Sequence, residues 1–309
     1  MARHKYAHGI FASAKPLSHY APAQHRQRLL RLHVYVRLYG EPPERSLLAA
    51  THERRVLQAR GRNPRAFVFL CPLEYANVDI DDSTPTEQFI GWTIERFRNR
   101  RMVITTSFGM EGCALIDMYA RQGPAVTVVY IDTGFFFPET YALRDRMVSR
   151  YPMITFVNRG TSLTPAAQET RYGPELWRRD PDRCCELRRV EPFQQALIGT
   201  DVWITAITRT QGSTRSDTPL VSWDWKYQVL KVCPLANWDR GRVWEYVTRR
   251  RVPYNDLHER GYPSIGCTYC TTPVPGSSPG EYSRAGRWAG TEKTECGLHG
   301  VSPLVTLRR

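Results

Sequence analysis

The chain has 309 residues, 41% hydrophobic and 24% charged, a balance that suits a globular protein and excludes wholesale disorder. No apolar run approaches the ~20 residues that span a bilayer, so no membrane partner is expected. The net charge of +13 is uneven: residues 1–66 hold 13 Lys/Arg against three acids, and residues 67–309 hold 30 against 27, so overall basicity is a poor sign of nucleic-acid binding.

Residues 1–80 read as a basic N-terminal extension and residues 81–309 as the functional domain. The first 40 residues contain no acid, seven Lys/Arg and five His. That composition fits a disordered arm, a mis-assigned start or an organellar presequence. Eight cysteines are too few for a disulfide scaffold, and no apolar export segment opens the chain. A reducing compartment is expected: the cytoplasm, or an organelle if residues 1–40 are a presequence. The oligomeric state is left open, a homo-oligomer included.

From residue 85 the pattern becomes regular. An amphipathic stretch, Thr86–Arg100, precedes an apolar run, Met102–Thr106, and the turn Ser107–Gly112. A helix over Cys113–Arg121 follows, then a second run, Val126–Ile131, ending in Asp132-Thr133-Gly134. Pro138–Arg150 reads as a helix, Met153–Val157 as a third strand, Cys184–Ile198 as a helix and Val202–Ile207 as a fourth strand. Short apolar runs alternating with helices predict an α/β fold, a parallel sheet with helices on both faces. Ligands in such folds bind beyond the carboxyl ends of the strands, where turns 107–112 and 132–134 fall. Arg240–Arg251 reads as a last helix, stopped by Pro253, and the Gly/Pro/Ser-rich stretch 273–286 predicts an irregular, mobile C-terminal segment.

The cysteines are grouped. Cys184 and Cys185 are adjacent, and Cys267 and Cys270 form a Cys-x-x-Cys pair. Four thiolates from two segments can hold a zinc ion or an iron–sulfur cluster. Adjacent side chains diverge, which suits the separated irons of a cluster better than one small ion. Cys71, Cys113 and Cys233 are single and apolar-flanked, as buried core residues are. Cys296 stands near Lys293 and His299, neighbours that favour thiolate; it reads as a nucleophile or as an incidental surface thiol. The turn 107–112 offers a helix N-terminus to an anion but lacks the Walker A and dinucleotide-binding patterns.

Ser107–Gly112 and Ile131–Gly134 resemble the modified PP-loop and strand-end motif of the sulfonucleotide reductases. So do Arg183-Cys184-Cys185, Trp203-Ile204-Thr205, Gln211 with Thr214-Arg215, Ser264–Cys267, Arg284–Trp288 and the closing Glu295–His299. The likeness runs in order over about residues 85–300. It implies an adenine nucleotide alpha hydrolase-like fold of PP-loop type. Within the family, the paired cysteines mark the branch that carries a 4Fe-4S cluster and reduces adenylyl sulfate. The resemblance implies Cys184, Cys185, Cys267 and Cys270 as cluster ligands, and Cys296 as the nucleophile that attacks the sulfate sulfur with His299 assisting. It further implies substrate contacts from Ser107, Gly109, Glu111, Gly112, Asp132, Arg189, Arg209, Arg215, Arg284 and Arg287. The implied partner is thioredoxin or glutaredoxin, which would release sulfite from Cys296.

Four positions depart from the family pattern. Arg189 stands where the family has a lysine near both cluster and substrate, and Thr208–Gly212 lacks one arginine and one acid of the family stretch. Tyr269 replaces a proline, and an acidic pair is reduced to Glu281. The alternatives are reduction of the 3′-phosphorylated donor, an ATP-using PP-loop enzyme, and a metal-bearing nucleic-acid-binding module. The second conflicts with Met110 and Gly112 in the loop. The third lacks aromatics interleaved with the basic residues.

Overall fold

A six-stranded sheet in the order β3-β2-β1-β4-β6-β5 organises the chain in a computed structural model that describes residues 80–123 and 126–299, all within one compact unit, Asn77–Leu304. The expectations for residues 1–79, Cys71 among them, lie outside the described residues.

Helix α1 (Thr86–Arg96) leads into β1 (Met102–Thr106), α2 (Met110–Gln122) and β2 (Thr127–Tyr130). Pro138 opens α3 (Pro138–Arg150), where its missing N–H has no helix partner to lose, and β3 (Thr155–Asn158) follows. The third strand starts two residues later than its apolar run suggests, because Met153 is exposed. Helix α4 (Pro165–Tyr172) is capped by Thr164, whose side chain accepts from the Ala167 N–H.

The helix expected over Cys184–Ile198 is present as one run from Pro181 to Ala196 with a π-helical turn inside it. A single turn, α5 (Leu176–Arg179), and α6 (Pro181–Cys185) are followed by a π-helical turn, Glu186–Val190, and by α7 (Glu191–Ala196). Pro192 has no N–H to give the Arg188 carbonyl, so the α ladder cannot run through, and the wide turn sits just before it. That turn buries Leu187 and Arg188 and brings Arg189 to the ligand side.

Strand β4 (Val202–Thr205) lies beside β1. Beyond it comes a hairpin the sequence does not announce, β5 (Val221–Asp224) and β6 (Val229–Val232). β6 runs parallel to β4 and β5 antiparallel to β6, so the sheet is mostly parallel with one reversed edge rather than wholly parallel. Helix α8 (Arg240–Arg250) is capped by Asp239, which accepts from the Arg242 N–H at 2.7 Å.

Both faces of the sheet are covered. Val103, Val129 and Trp203 pack with Phe193 and Leu197 around α7. Ile104, Val128 and Ile204, on the opposite face by strand alternation, are fully buried as well. On that second side α2 meets α8, where Tyr246 donates to Asp117 at 2.6 Å. Residues 252–299 carry only short 3-10 turns, as their composition predicts. Among the described residues no helix is long and apolar enough to cross a membrane.

Candidate active site

A cavity of about 170 Å³, open to solvent, lies at the carboxyl ends of β1 and β4, bordered by Thr105, Thr106 and Thr205. Phe108 turns the chain out of β1 in the left-handed region, at φ 59°, with its ring buried against Tyr130 and its N–H donated to Thr106 Oγ1. A non-glycine residue held there stores strain on the order of 1–3 kcal/mol, and such strain collects at functional turns. The turn delivers the chain to α2, which starts at Met110 rather than Cys113, so Ser107, Gly109 and Gly112 all border the cavity. A Cβ on Gly112 would sit 2.6 Å from Thr106 Oγ1, so only glycine lets α2 approach β1 this closely. The first N–H groups of α2 have no acceptor inside the helix and favour an anion.

Glu111 lines the cavity and is also ion-paired. Its carboxylate accepts from Arg240 Nη1 at 2.7 Å in a nearly dry ion pair, and Arg240 also reaches His258 and the Pro279 carbonyl. Burial and then the Arg240 charge hold the His258 imidazole down at about 4, so it is neutral at working pH. Glu111 therefore borders the cavity and fixes α2 to α8 as well. Nothing in the sequence marks this pair, because its members lie 129 residues apart.

The cationic wall comprises Arg189, Arg215, Arg284 and Arg287. Arg215 donates to Gln211 at 2.6 Å and to Glu295 at 3.0 Å. Arg287 lies over the Trp288 ring, and its Nε is buried without a partner among the described residues. Ser264 Oγ, also at the cavity, is buried and unpartnered too. Gly266 makes room for Arg287: a Cβ there would come within 2.2 Å of its Nη2. Gly266→Ala should therefore push the guanidinium out of the cavity and lower kcat/KM on the order of 100-fold, with the melting temperature little changed. Steady-state kinetics beside a thermal melt checks this; wild-type kinetics would contradict it.

Cys296 and His299 reach the same cavity from the C-terminal segment. Burial alone would push the Cys296 thiol up. The Arg189 guanidinium, the Leu298 N–H and Arg287 outweigh burial and hold it below the ordinary thiol value. The basic neighbour expected to help, Lys293, instead pairs with Asp182. His299 stacks on Trp203 at 5.4 Å and 8°. Burial, then the charges of Lys231 and Arg215, keep its imidazole well below its usual value, so it is neutral, with Nδ1 buried and without a partner among the described residues.

Two expected substrate residues point elsewhere. Asp132 Oδ1 accepts from the Gly134 N–H at 2.8 Å and the Tyr141 hydroxyl at 2.9 Å, and faces a separate depression with Asn158 and Gly160. Ile131 is the residue that borders the main cavity from the end of β2. Arg209 forks onto Asp82 with both nitrogens at 3.0 Å and also meets Asn237 and the Thr218 carbonyl. A 3-10 turn boxed by Thr208 and Gln211 turns Arg209 outward and Gln211 inward.

Of the four grouped cysteines Cys184 is buried and the others half-buried, and all are free thiols. The turn Cys267–Cys270 is tied to the end of β2. Phe136 bridges Cys267, the Thr268 N–H donates to the Phe135 carbonyl at 2.9 Å, and Thr133 Oγ1 lies 3.3 Å from Cys267 Sγ. Burial, with Cys267 and Cys270 facing it, pushes Cys184 up to about 11, and burial pushes Cys185 up to about 12. The two pairs thus share one neighbourhood. Among the described residues no group of three or more His, Cys, Asp or Glu side chains is placed to hold a metal ion. Cys113 and Cys233 are fully buried core residues, as expected.

Comparison with known proteins bears on this site. The phosphoadenosine phosphosulfate reductase domain matches residues 101–273. An adenosine 5'-phosphosulfate reductase of Geobacillus kaustophilus is 43% identical over 210 residues, covering 68% of this chain and 88% of its own. Its counterpart in Bacillus cytotoxicus is 40% identical over 221 residues, covering 71% and 92%. Among solved structures, the phosphate complex of phosphoadenylyl-sulfate reductase from Candida auris superposes with a TM-score of 0.54 at 28% identity, covering 62% of this chain and 91% of that one.

Proposed function

Because the chain belongs to the phosphoadenosine phosphosulfate reductase domain family, we propose that it reduces adenylyl sulfate to sulfite and AMP in assimilatory sulfate reduction. The observation that carries this reading is the Cys296 thiol, buried in the cavity with Arg189 and Arg287 facing it. The relatives named for adenylyl sulfate support the substrate.

Cys296, as thiolate, attacks the sulfate sulfur. The bond from that sulfur to the bridging oxygen breaks, AMP leaves with the electron pair, and an S-sulfocysteine remains. A thiolate of thioredoxin or glutaredoxin then attacks Cys296 Sγ, and sulfite leaves with the electrons of the S–S bond. The donor's second thiol resolves the mixed disulfide and frees Cys296. An anion must approach an anion in the first step, so fixed positive charge has to offset the repulsion. Arg189, Arg284 and Arg287 supply it in the forked geometry that suits oxyanions, and the N-terminus of α2 adds unpaired N–H groups. A neutral His299 can hydrogen-bond the leaving or attacking group without adding charge.

The cysteine set suits a 4Fe-4S cluster: Cys184 faces both Cys267 and Cys270, Cys185 faces Cys267, and Arg189 and Arg287 act on Cys270. Cys184, Cys185, Cys267 and Cys270 would hold it. Bound, it would fasten α6 to the 267–270 turn and place a charged body near Arg189. The reducing cytoplasm is the matching compartment.

Adenylyl sulfate should show the higher kcat/KM in direct competition with its 3′-phosphorylated relative. The Candida auris likeness makes that relative the second reading. Equal or reversed preference would favour it.

A further inference from the structure

The segment that carries Cys296 is held down by charge. Arg284 Nη2 donates to the Thr294 carbonyl at 2.8 Å. Glu295 lies between two cations, 3.0 Å from Arg215 Nη2 and 3.3 Å from Arg284 Nη2, with the Thr214 hydroxyl at 3.3 Å. Its side chain is only 18% exposed and that of Arg215 10%, so the attraction acts largely out of water. Beyond Cys296 the holds differ in kind: Leu298 packs on the core and His299 stacks on Trp203. Lys226 donates to the Gly297 carbonyl at 2.8 Å and the Tyr227 hydroxyl to the Leu298 carbonyl at 3.1 Å. The two acids at the cavity are thus differently employed: Glu111 joins two helices, and Glu295 ties the nucleophile's own segment to the anion-binding wall.

We propose that Glu295 is a positioning residue, a carboxylate latch that occupies Arg215 and Arg284 and holds the C-terminal segment closed with Cys296 buried. The inference rests on Cys296 being the nucleophile of the proposed reaction, but the latch can be tested with neither substrate nor turnover. The segment must close to bring Cys296 to the substrate and open to admit a protein thiol, and a partly buried ion pair supplies a closing force that stays reversible. Glutamine keeps the shape and the acceptor oxygen of Glu295 and removes only the charge.

The test is alkylation of Cys296 by iodoacetamide in full-length protein purified anaerobically, followed by peptide mass. Rates are compared at the high-pH plateau, where every Cys296 is thiolate, so that a changed pKa cannot mimic opening. Glu295→Gln should alkylate at least about tenfold faster than wild type, equivalent to about 1.4 kcal/mol of closure, with an unchanged melting temperature. Iodoacetamide is uncharged, so salt acts only on the protein. Raising NaCl to about 1 M should speed alkylation of the wild type and leave Glu295→Gln unmoved. A wild-type rate in Glu295→Gln, or the same salt response in both proteins, would overturn the latch. Neither outcome depends on whether the protein reduces adenylyl sulfate.

Discussion

Cys296→Ser should lower turnover of adenylyl sulfate on the order of 10⁴-fold or more, because among the described residues no other thiol lines the cavity. The thiol faces Arg189 and Arg287, which hold it below its ordinary value against the opposing effect of burial. A serine hydroxyl at the same place has no comparable ionisation near neutral pH, and the arginines cannot supply the difference. The sign of the pH dependence follows from the same contacts. The thiolate form is the reactive one, so the rate should rise with pH through the Cys296 pKa and level off at a lower pH than for an unperturbed thiol, near ~8.5. Because Cys296 is not one of the proposed cluster ligands, the variant should keep the iron and sulfide content proposed for the wild type and the absorption that goes with it. Kinetics and an absorption spectrum on one anaerobic preparation check both halves; loss of that absorption would show that Cys296 had been assigned the wrong task.

The second large effect concerns the cysteine pairs. Serine at any one of Cys184, Cys185, Cys267 or Cys270 should lower iron and sulfide content to near zero and lower activity by at least about 100-fold. The 267–270 turn is bonded to Phe135 and Phe136 at the end of β2, and Cys184 and Cys185 close α6, directly before the π turn that presents Arg189. A group joining the two pairs therefore braces the segments that set Arg189 and the cavity rim. Stoichiometric zinc without iron in the wild-type protein would contradict this reading, as would a serine variant that keeps its full complement of iron.

The residues differ in how plainly the sequence announces them. Strands β1, β2 and β4 are apolar runs bounded by polar turns, and their burial on both faces is what a parallel sheet demands. The cavity follows from them, because turn 107–109 must leave the sheet at the carboxyl end of β1. The hairpin β5–β6 gives no such signal. Val221–Asp224 is only half-buried over its first three residues and shows neither a continuous apolar run nor clean alternation, so its pairing with β6 decides it. The π turn at Glu186–Val190 is hidden for another reason: a proline inside a helical pattern predicts a break but not its form.

At the site, what is local in the sequence is legible and what depends on partners is not. Arg215, Arg284, Arg287, Cys296 and His299 come together in the cavity as their order along the chain suggests. Glu111, Asp132 and Arg209 look equally suitable as residue types. Arg240, Tyr141 and Asp82 engage them in three separate contacts, none adjacent in sequence to the residue it holds. Glu295 is the converse case. It is an ordinary acid beside Cys296 until two arginines about 80 and 11 residues away close on it.

The intact mass of the anaerobically purified protein after incubation with adenylyl sulfate and no reductant tests the central claim most directly. The account predicts one added –SO3 group on Cys296, one AMP released per adduct, and release of sulfite when thioredoxin is added. An adduct on a different cysteine, or sulfite formed with no adduct at any time, would contradict it.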